Sequence, residues 1–329
     1  MATEKEIIEN SMTWLHYVCE QYKLGNDLYN VFVNTLQGVE ERMEIIVSPA
    51  NLGDTVFIAS LAESYKRKHG LDKLLIVAKE RQAEAVKWFS GVDEVFGMSD
   101  DEICALRYYF TVSKNFYSNG IRYGHIPCYI TYAYPGLFIH EKPGFGGDTL
   151  KHVWEKRILD IPEDSPTSKL VVPQDIKPLP ENYEKYKNAI LIAPAAFTNK
   201  GIPESFWEML VEKLIGLGYE VYNNTGGLDY DKIIKGTKPF YASTQDLILN
   251  APLFKHVVAV RSGFTDLVSK TSASMSVIHL SNDQNIKLRI EYGVDGSDVR
   301  DLGRMEGIYP IYHVAGREKE TIDLIIENI

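Results

Sequence analysis

Cysteine is scarce in this 329-residue chain: Cys19, Cys104 and Cys128 are an odd number at wide spacing, with no C-x-x-C. That excludes a disulfide framework and a thiolate zinc site, and it reads as buried thiols in a reducing compartment. Long apolar runs are missing too. The longest, Ala189 to Phe197, is far too short to cross a bilayer. The opening residues Ala2-Thr3-Glu4-Lys5-Glu6 lack the basic-then-apolar order of a signal peptide. The expected location is therefore the cytoplasm, with at most peripheral membrane contact. Positive charge is in short supply: 35 Lys and Arg stand against 45 Asp and Glu, a formal net charge of −10. A general nucleic-acid binder needs a basic surface, and none is visible. There is no low-complexity segment, no repeat and no Walker A lysine pattern, and the histidines, His125, His140 and His152 among them, fall at no metal-ligand spacing. No metal is expected. An acidic chain that binds an anion must do so with a few local groups.

The length exceeds what one hydrophobic core usually supports, so two domains are the natural reading. Residues 4–40 read as helical, with Ile8, Met12, Leu15, Cys19 and Tyr22 on one stripe, an N-terminal extension over 1–42. An α/β series begins at Met43. Strands are expected at 44–47, 74–77 and 92–96, with helices from the turn at 49–54 to His69, over 81–90 and over 101–118. A Tyr-, Gly- and Pro-rich stretch to Asp148 reads as a long functional loop. Pro166, Pro173, Pro178 and Pro180 mark a linker over 166–185. A second series follows over 186–316: strands at 189–192, 219–222, 256–260 and 276–280 and helices at 204–217, 244–253 and 263–272. Residues 317–329 form a last helix with Ile322, Ile325, Ile326 and Ile329 on one face, expected to pack back towards the first domain. Strands alternating with helices predict two facing Rossmann-like α/β domains with parallel sheets, 43–165 and 186–316. Ligands of such sheets sit at the carboxyl ends of strands.

Three strand-to-helix turns carry chemistry. In Asn51-Leu52-Gly53-Asp54-Thr55 the glycine permits a tight turn and Asp54 falls at a helix start. The carboxylate is either a general base or a helix-capping group, the latter worth about 0.5–2 kcal/mol. In Ala193 to Pro203 a lysine, Lys200, can reach an anion in the cleft, or be a solvated lysine beside a helix N-terminus whose dipole disfavours it. In Arg261-Ser262-Gly263-Phe264-Thr265-Asp266 the serine can cap, Gly263 lets backbone N–H groups approach a ligand, and Arg261 either contacts phosphate or pairs with an acid.

These turns resemble the heptosyltransferase-like glycosyltransferases (family 9, GT-B fold). Asn51-Leu52-Gly53-Asp54 is similar to that family's S/N-x-G-D turn, Lys200 to Trp207 to its K-x-W-P-x-x-x-W/F turn, and Arg261 to Leu267 falls where it has D-[ST]-G-x-x-H-x-A. The family's Trp, Asp and His are here Ile202, Arg261 and Asp266. The resemblance spans roughly 43–300 and excludes the N-terminal extension. It implies an inverting, metal-independent transfer of a sugar from a nucleotide-diphosphate sugar, the co-substrate, to a hydroxyl of a glycan, glycolipid or protein, with no further cofactor. It implies that Asp54 is the base and that Thr198, Lys200, Arg261, Ser262, Gly263, Phe264 and Asp266 bind the donor. Asn51, Tyr132 and Tyr134 fall on the acceptor side.

Tyr108, Tyr109, Tyr117, Tyr123, Tyr129, Tyr132 and Tyr134 crowd one stretch, where they either stack on sugar rings or pack the core. Asp229-Tyr230-Asp231 matches the D-x-D of metal-dependent transferases but lies on a Gly-rich loop of the second half and reads as solvated. Glu204 and Glu212 match E-x₇-E by count, in the wrong turn for retaining enzymes. Gly144 to Gly147 makes a poor dinucleotide fingerprint, since no strand precedes it. The other readings in view are a non-catalytic glycan- or nucleotide-binding scaffold and a nucleotide-sugar epimerase. A homo-oligomer formed through the N-terminal helices is also expected.

Overall fold

The computed structural model describes residues 4–124, 149–195, 202–225, 233–281, 299–303 and 306–329. Two sheets organise them. The first has five strands, Met43–Val47 (β1), Lys73–Lys79 (β2), Glu94–Met98 (β3), Tyr117–Ser118 (β4) and Ile121–Tyr123 (β5), in the order β3-β2-β1-β5-β4. All neighbours are parallel except the short β4–β5 hairpin. The second has six parallel strands, Ala189–Ala193 (β6), Glu220–Asn224 (β7), Lys238–Phe240 (β8), His256–Val260 (β9), Met275–Ser281 (β10) and Ile308–Val314 (β11), in the order β11-β10-β9-β6-β7-β8. Central strands such as Ala-Ile-Leu-Ile-Ala are buried along their whole length, as expected for parallel strands covered on both faces.

Helices cover the sheets: Glu4–Leu36 (α1), Leu52–Ser60 (α2), Ala62–His69 (α3), Glu80–Val86 (α4), Asp100–Ser113 (α5), Leu150–Val153 (α6), Pro180–Tyr186 (α7), Glu204–Gly216 (α8), Thr244–Asn250 (α9), Gly263–Ser269 (α10) and Glu318–Glu327 (α11). One helix was expected to run to His69; the structure has two. The break is at Leu61, whose N–H bonds to Ile58, while the Ser60 carbonyl accepts the Ser168 N–H at 2.7 Å. A backbone strap from the linking stretch thus occupies a carbonyl at the break. The helix expected over 101–118 stops at Ser113, because Lys114 turns left-handed (φ 56°) and the chain enters the β4–β5 hairpin. That hairpin occupies part of the stretch expected as loop.

The proline-rich stretch is docked at both ends. Ser168, Lys169 and Val171 bond to Ser60, Ser90 and Trp88 of the first half. On the far side, Tyr186 of α7 stacks on Phe254 at 4.3 Å and Asn182 bonds to Asn250. The C-terminal helix packs on the second sheet. The buried Ile322 and Ile325 of α11 join the second sheet's own cluster with Phe206, Trp207 and Ile311, and Lys213 of α8 pairs with Asp323. Among the described residues its buried apolar face belongs to the second sheet's cluster.

Three cores result. One lies between β1, β2, α1 and α5, and one between the second sheet, α8 and α11. The largest spans both halves, from Phe57, Trp88 and Trp154 to Val257, Leu267 and Val268, with α2 packed on α10 and α4 on α9. No helix of the described residues is long and apolar enough to cross a membrane.

Candidate functional site

The two strand orders locate the site. In the first sheet the chain runs outward from β1 through β2 and β3, then returns to the other side of β1 as β5. The turn at 48–54 leaves β1 at this reversal. In the second sheet the reversal falls between β6 and β9, and the turns after Ala193 and after Val260 leave those two strands. The strands on either side of a reversal send their connections to opposite faces, which opens a crevice at their carboxyl ends. All three turns singled out in the sequence leave reversal strands.

Asp54 sits at the third position of α2, after Asn51 at the N-cap, and accepts a hydrogen bond from the Asn51 N–H at 3.2 Å. The capping role is therefore present. Capping does not account for its acidity. Burial of the carboxyl raises its pKa from the usual 3.8 to about 6, against the opposing pull of the Asn51 N–H, its own backbone N–H and the Arg261 charge. The residue remains half-buried, with a face towards solvent. A carboxylate tuned to about 6 and reachable from a cleft suits a general base near neutral pH.

The Asp54 turn stands on a buried polar brace that the sequence reading did not identify. Thr55 Oγ1 lies 2.8 Å from Ser48 Oγ and donates to Gln82 Oε1 at 3.0 Å, while Gln82 Nε2 reaches the Ala50 carbonyl at 3.4 Å. Ser48, Thr55 and Gln82 are all buried. Gln82 lies on α4, 27 residues after Thr55. No local pattern could have announced that contact.

Across from this turn, Ser262 is the N-cap of α10. Its N–H donates to Thr265 Oγ1 at 3.0 Å, and that hydroxyl donates to the Ser262 carbonyl. Gly263 follows and abuts Gly53: a Cβ on Gly263 would lie 2.4 Å from the Gly53 nitrogen. The starts of α2 and α10 are thus in direct contact. Phe264 turns its ring towards the core shared by the halves.

Arg261 and Asp266 are one unit. The guanidinium Nη1 donates to Asp266 Oδ2 at 2.9 Å and to the Ser262 carbonyl at 3.1 Å. Asp266 is 2% exposed, and its other oxygen, Oδ1, has no hydrogen-bond partner among the described residues. Burial pushes the Asp266 carboxyl up, Arg261 holds it down, and Asp54 pushes it up further. Asp266, expected on the donor side, is buried and bonded to Arg261. It stands behind Arg261 and fixes the guanidinium close enough for its charge to act on Asp54.

The remaining expected residues are spread unevenly. Asn51 is exposed beside Asp54. Thr198, Lys200, Tyr132 and Tyr134 lie outside the described residues, as do Asp229 to Asp231 and Gly144 to Gly147. The flanks of the lysine turn are described: Ala193 ends β6, and Phe206 and Trp207 at the start of α8 are buried. These aromatics anchor the start of the helix in the second sheet's cluster. Glu204 and Glu212 are exposed on α8. Of the tyrosine cluster, Tyr109 and Tyr123 are core residues, and Tyr117 bonds to the buried Glu44 at 2.7 Å. Packing explains these members. Among the described residues no group of three metal-ligating side chains converges.

No protein-family model and no curated protein sequence matches this chain. Solved structures do. ADP-heptose LPS heptosyltransferase II of E. coli superposes with a TM-score of 0.55 at 12% identity, covering 87% of this chain and 98% of that one. E. coli heptosyltransferase WaaC with ADP gives 0.53 at 12% identity, over 87% and 100%. A glycosyl transferase family 9 protein from Veillonella parvula gives 0.50 at 13% identity, over 88% and 90%. The chain has their fold, GT-B, over nearly its whole length.

Proposed function

We propose that this chain is an inverting, metal-independent glycosyltransferase that moves a sugar from a nucleotide-diphosphate sugar to a hydroxyl of a glycan, glycolipid or protein in the cytoplasm. The observation that carries the reading is the meeting of two helix starts at the crevice, one bearing a half-buried carboxylate with its pKa raised to about 6, the other a cation and a capped turn. Asp54 takes the proton of the acceptor hydroxyl. The acceptor oxygen attacks the anomeric carbon as the bond to the diphosphate oxygen breaks, and this single displacement inverts the centre. Charge grows on the leaving nucleoside diphosphate. Lys200, Thr198, the Ser262 hydroxyl and the backbone N–H groups of Gly263 and Phe264 are the groups assigned to hold it, the Ser262 N–H being taken by Thr265, a fixed electrostatic arrangement in place of a metal ion. Arg261, tethered by Asp266, supplies positive charge between donor and base. Asn51, Tyr132 and Tyr134 are assigned to the acceptor side.

The test is thermal stability of the full chain against UDP, GDP, ADP, CMP and dTDP, with and without EDTA. ADP comes first, since the E. coli heptosyltransferase was solved with it. A ligand at 100 times its Kd stabilises by about 2.7 kcal/mol. A shift with one diphosphate that EDTA leaves unchanged supports the donor site, and Lys200→Ala should weaken that binding by about 1.5–3 kcal/mol. Binding with no sugar transfer, and Asp54→Asn without effect, would instead favour a scaffold of the same fold. Consumption of donor with no acceptor present would favour an epimerase.

A further inference from the structure

The brace under the Asp54 turn admits one consistent set of donors. A carbonyl only accepts, so the Gln82 nitrogen faces the Ala50 carbonyl. The Gln82 oxygen therefore faces Thr55, whose hydroxyl gives its single proton to it at 3.0 Å. With that proton placed, Thr55 accepts from the Ser48 hydroxyl, 2.8 Å away. The bonds thus run in one sense, from Ser48 to Thr55 to Gln82 to Ala50. They begin and end in the turn at 48–54 and pass through α2 and α4 on the way. Ser48 and Thr55 are 0% exposed and Gln82 5%, and none of their side-chain polar atoms is left unsatisfied. Packing alone does not call for this arrangement, since apolar side chains of the same shape could fill the space at little loss of stability. A complete polar network adds a single, specified geometry.

The geometry specified here is that of the Asp54 backbone. Thr55 follows Asp54 directly, and Ala50 stands just before the N-cap Asn51. Gln82 also ties the turn to the other half of the molecule, because α4 packs on α9 and its Glu84 accepts a hydrogen bond from Gln245 of that helix. We propose that Gln82, acting through Thr55 and Ala50, is a positioning residue for Asp54, holding the 48–54 turn where the carboxyl can meet an acceptor hydroxyl. The inference rests on the reading of Asp54 as the base. Without the amide, the turn relaxes and the carboxyl moves towards water. Arg261 and Asp266, the charged groups that face Asp54, stand on the second half and carry no bond of the brace. A change in the titration of Asp54 therefore reports the brace itself.

Three variants of the full chain test this. Gln82→Met removes the amide at similar length. Thr55→Val removes the hydroxyl at constant shape, and Thr55→Ser keeps it; should Gln82→Met fail to fold, the Thr55 pair decides. The first readout needs no substrate. It is the stability gained on adding Asp54→Asn to each variant, by urea denaturation at pH 8. In Gln82→Met and Thr55→Val this gain should fall by roughly half or more, because a carboxyl returned to water titrates closer to its usual range. Thr55→Ser should keep it. The second readout is turnover with the nucleotide sugar whose diphosphate stabilises the chain. Here kcat should fall on the order of 10- to 100-fold in Gln82→Met and Thr55→Val, with donor KM unchanged, and stay within about twofold of wild type in Thr55→Ser. Wild-type titration of Asp54 in both disruptive variants overturns the proposal, even where both lose melting temperature. So does full turnover by both while Asp54→Asn is inactive. Full turnover by Asp54→Asn instead overturns the base reading, and the inference with it.

Discussion

Gly53 and Gly263 touch across the boundary between the two sheets, and neither could carry a side chain without moving the other. A Cβ on Gly263 would stand 2.4 Å from the Gly53 nitrogen, and one on Gly53 would stand 2.8 Å from Asp266 Oδ2 and 3.3 Å from the Gly263 Cα. Neither glycine has a left-handed φ, so space and not conformation demands them. In an open helix, Gly→Ala gains up to about 1 kcal/mol. Gly263→Ala should instead lose about 1–3 kcal/mol in urea denaturation, the usual cost of overpacking. Gly216→Ala, with nothing within 4 Å of its Cβ, is the control and should not destabilise.

Asp54 predicts opposite effects on activity and stability. Asp54→Asn should lower turnover by about 10²–10⁴-fold while sparing donor binding. The folded-state pKa is raised, from 3.8 to about 6, so the carboxylate destabilises the fold above that range and does nothing below it. The asparagine variant should therefore be more stable than wild type at pH 8, by at most about 3 kcal/mol, and equal to it below the unfolded-state value, near pH 3. Equal stability at both pH values would remove the desolvated base from the account.

The same carboxyl sets a pH profile. kcat/KM should rise with pH through about 6, as Asp54 loses its proton in the free enzyme. Arg261 pulls this pKa down, so Arg261→Gln should move the rising limb to higher pH. A limb that stays in place would mean that the guanidinium does not act on the base.

Arg261 and Asp266 fall where the motif of the resembled family has Asp and His, and their ion pair couples the two positions. Arg261→Ala leaves Asp266 buried without its cation and should cost about 3–5 kcal/mol. Arg261→Asp alone places two acids side by side and should be worse. Arg261→Asp together with Asp266→His should recover stability beyond either single change, as a double-mutant cycle by chemical denaturation would read out.

His256 gives a separate acid sensitivity. It is fully buried between Ser274 and Ser276, with ring nitrogens 2.8 and 2.9 Å from their hydroxyls. Burial first, and then Lys255, lower its pKa from 6.5 to about 4. Its stabilising contribution is complete above about pH 6.5 and is lost as the pH falls towards 4, up to roughly 3 kcal/mol. His256→Gln should flatten the stability–pH curve in that interval.

The fold was legible where burial wrote itself into local pattern. Continuous apolar strands such as Ala189–Ala193 and His256–Val260 stand out because both faces are covered. Lys238–Phe240, Ile121–Tyr123 and Ile308–Val314 did not. The first two are only three residues long, and the third exposes Tyr309 at the sheet edge. Asp54 and Arg261 were legible because they sit on strand-to-helix turns. Gln82 was not, because its place under the Asp54 turn is set by the packing of α4 against α2. Whether Arg261 met a phosphate or an acid was open in the sequence, and the Asp266 contact decides where its charge is held.

The apolar cluster that runs from Phe57 and Trp154 through to Val257 and Val268 belongs to neither half alone. Two Rossmann-like units joined by a tether could melt one after the other, but here each supplies part of the other's interior. Heating should therefore give a single cooperative transition, with calorimetric and van't Hoff enthalpies in agreement. Donor binding, even if confined to the second half, is then linked to the integrity of the half that carries the base.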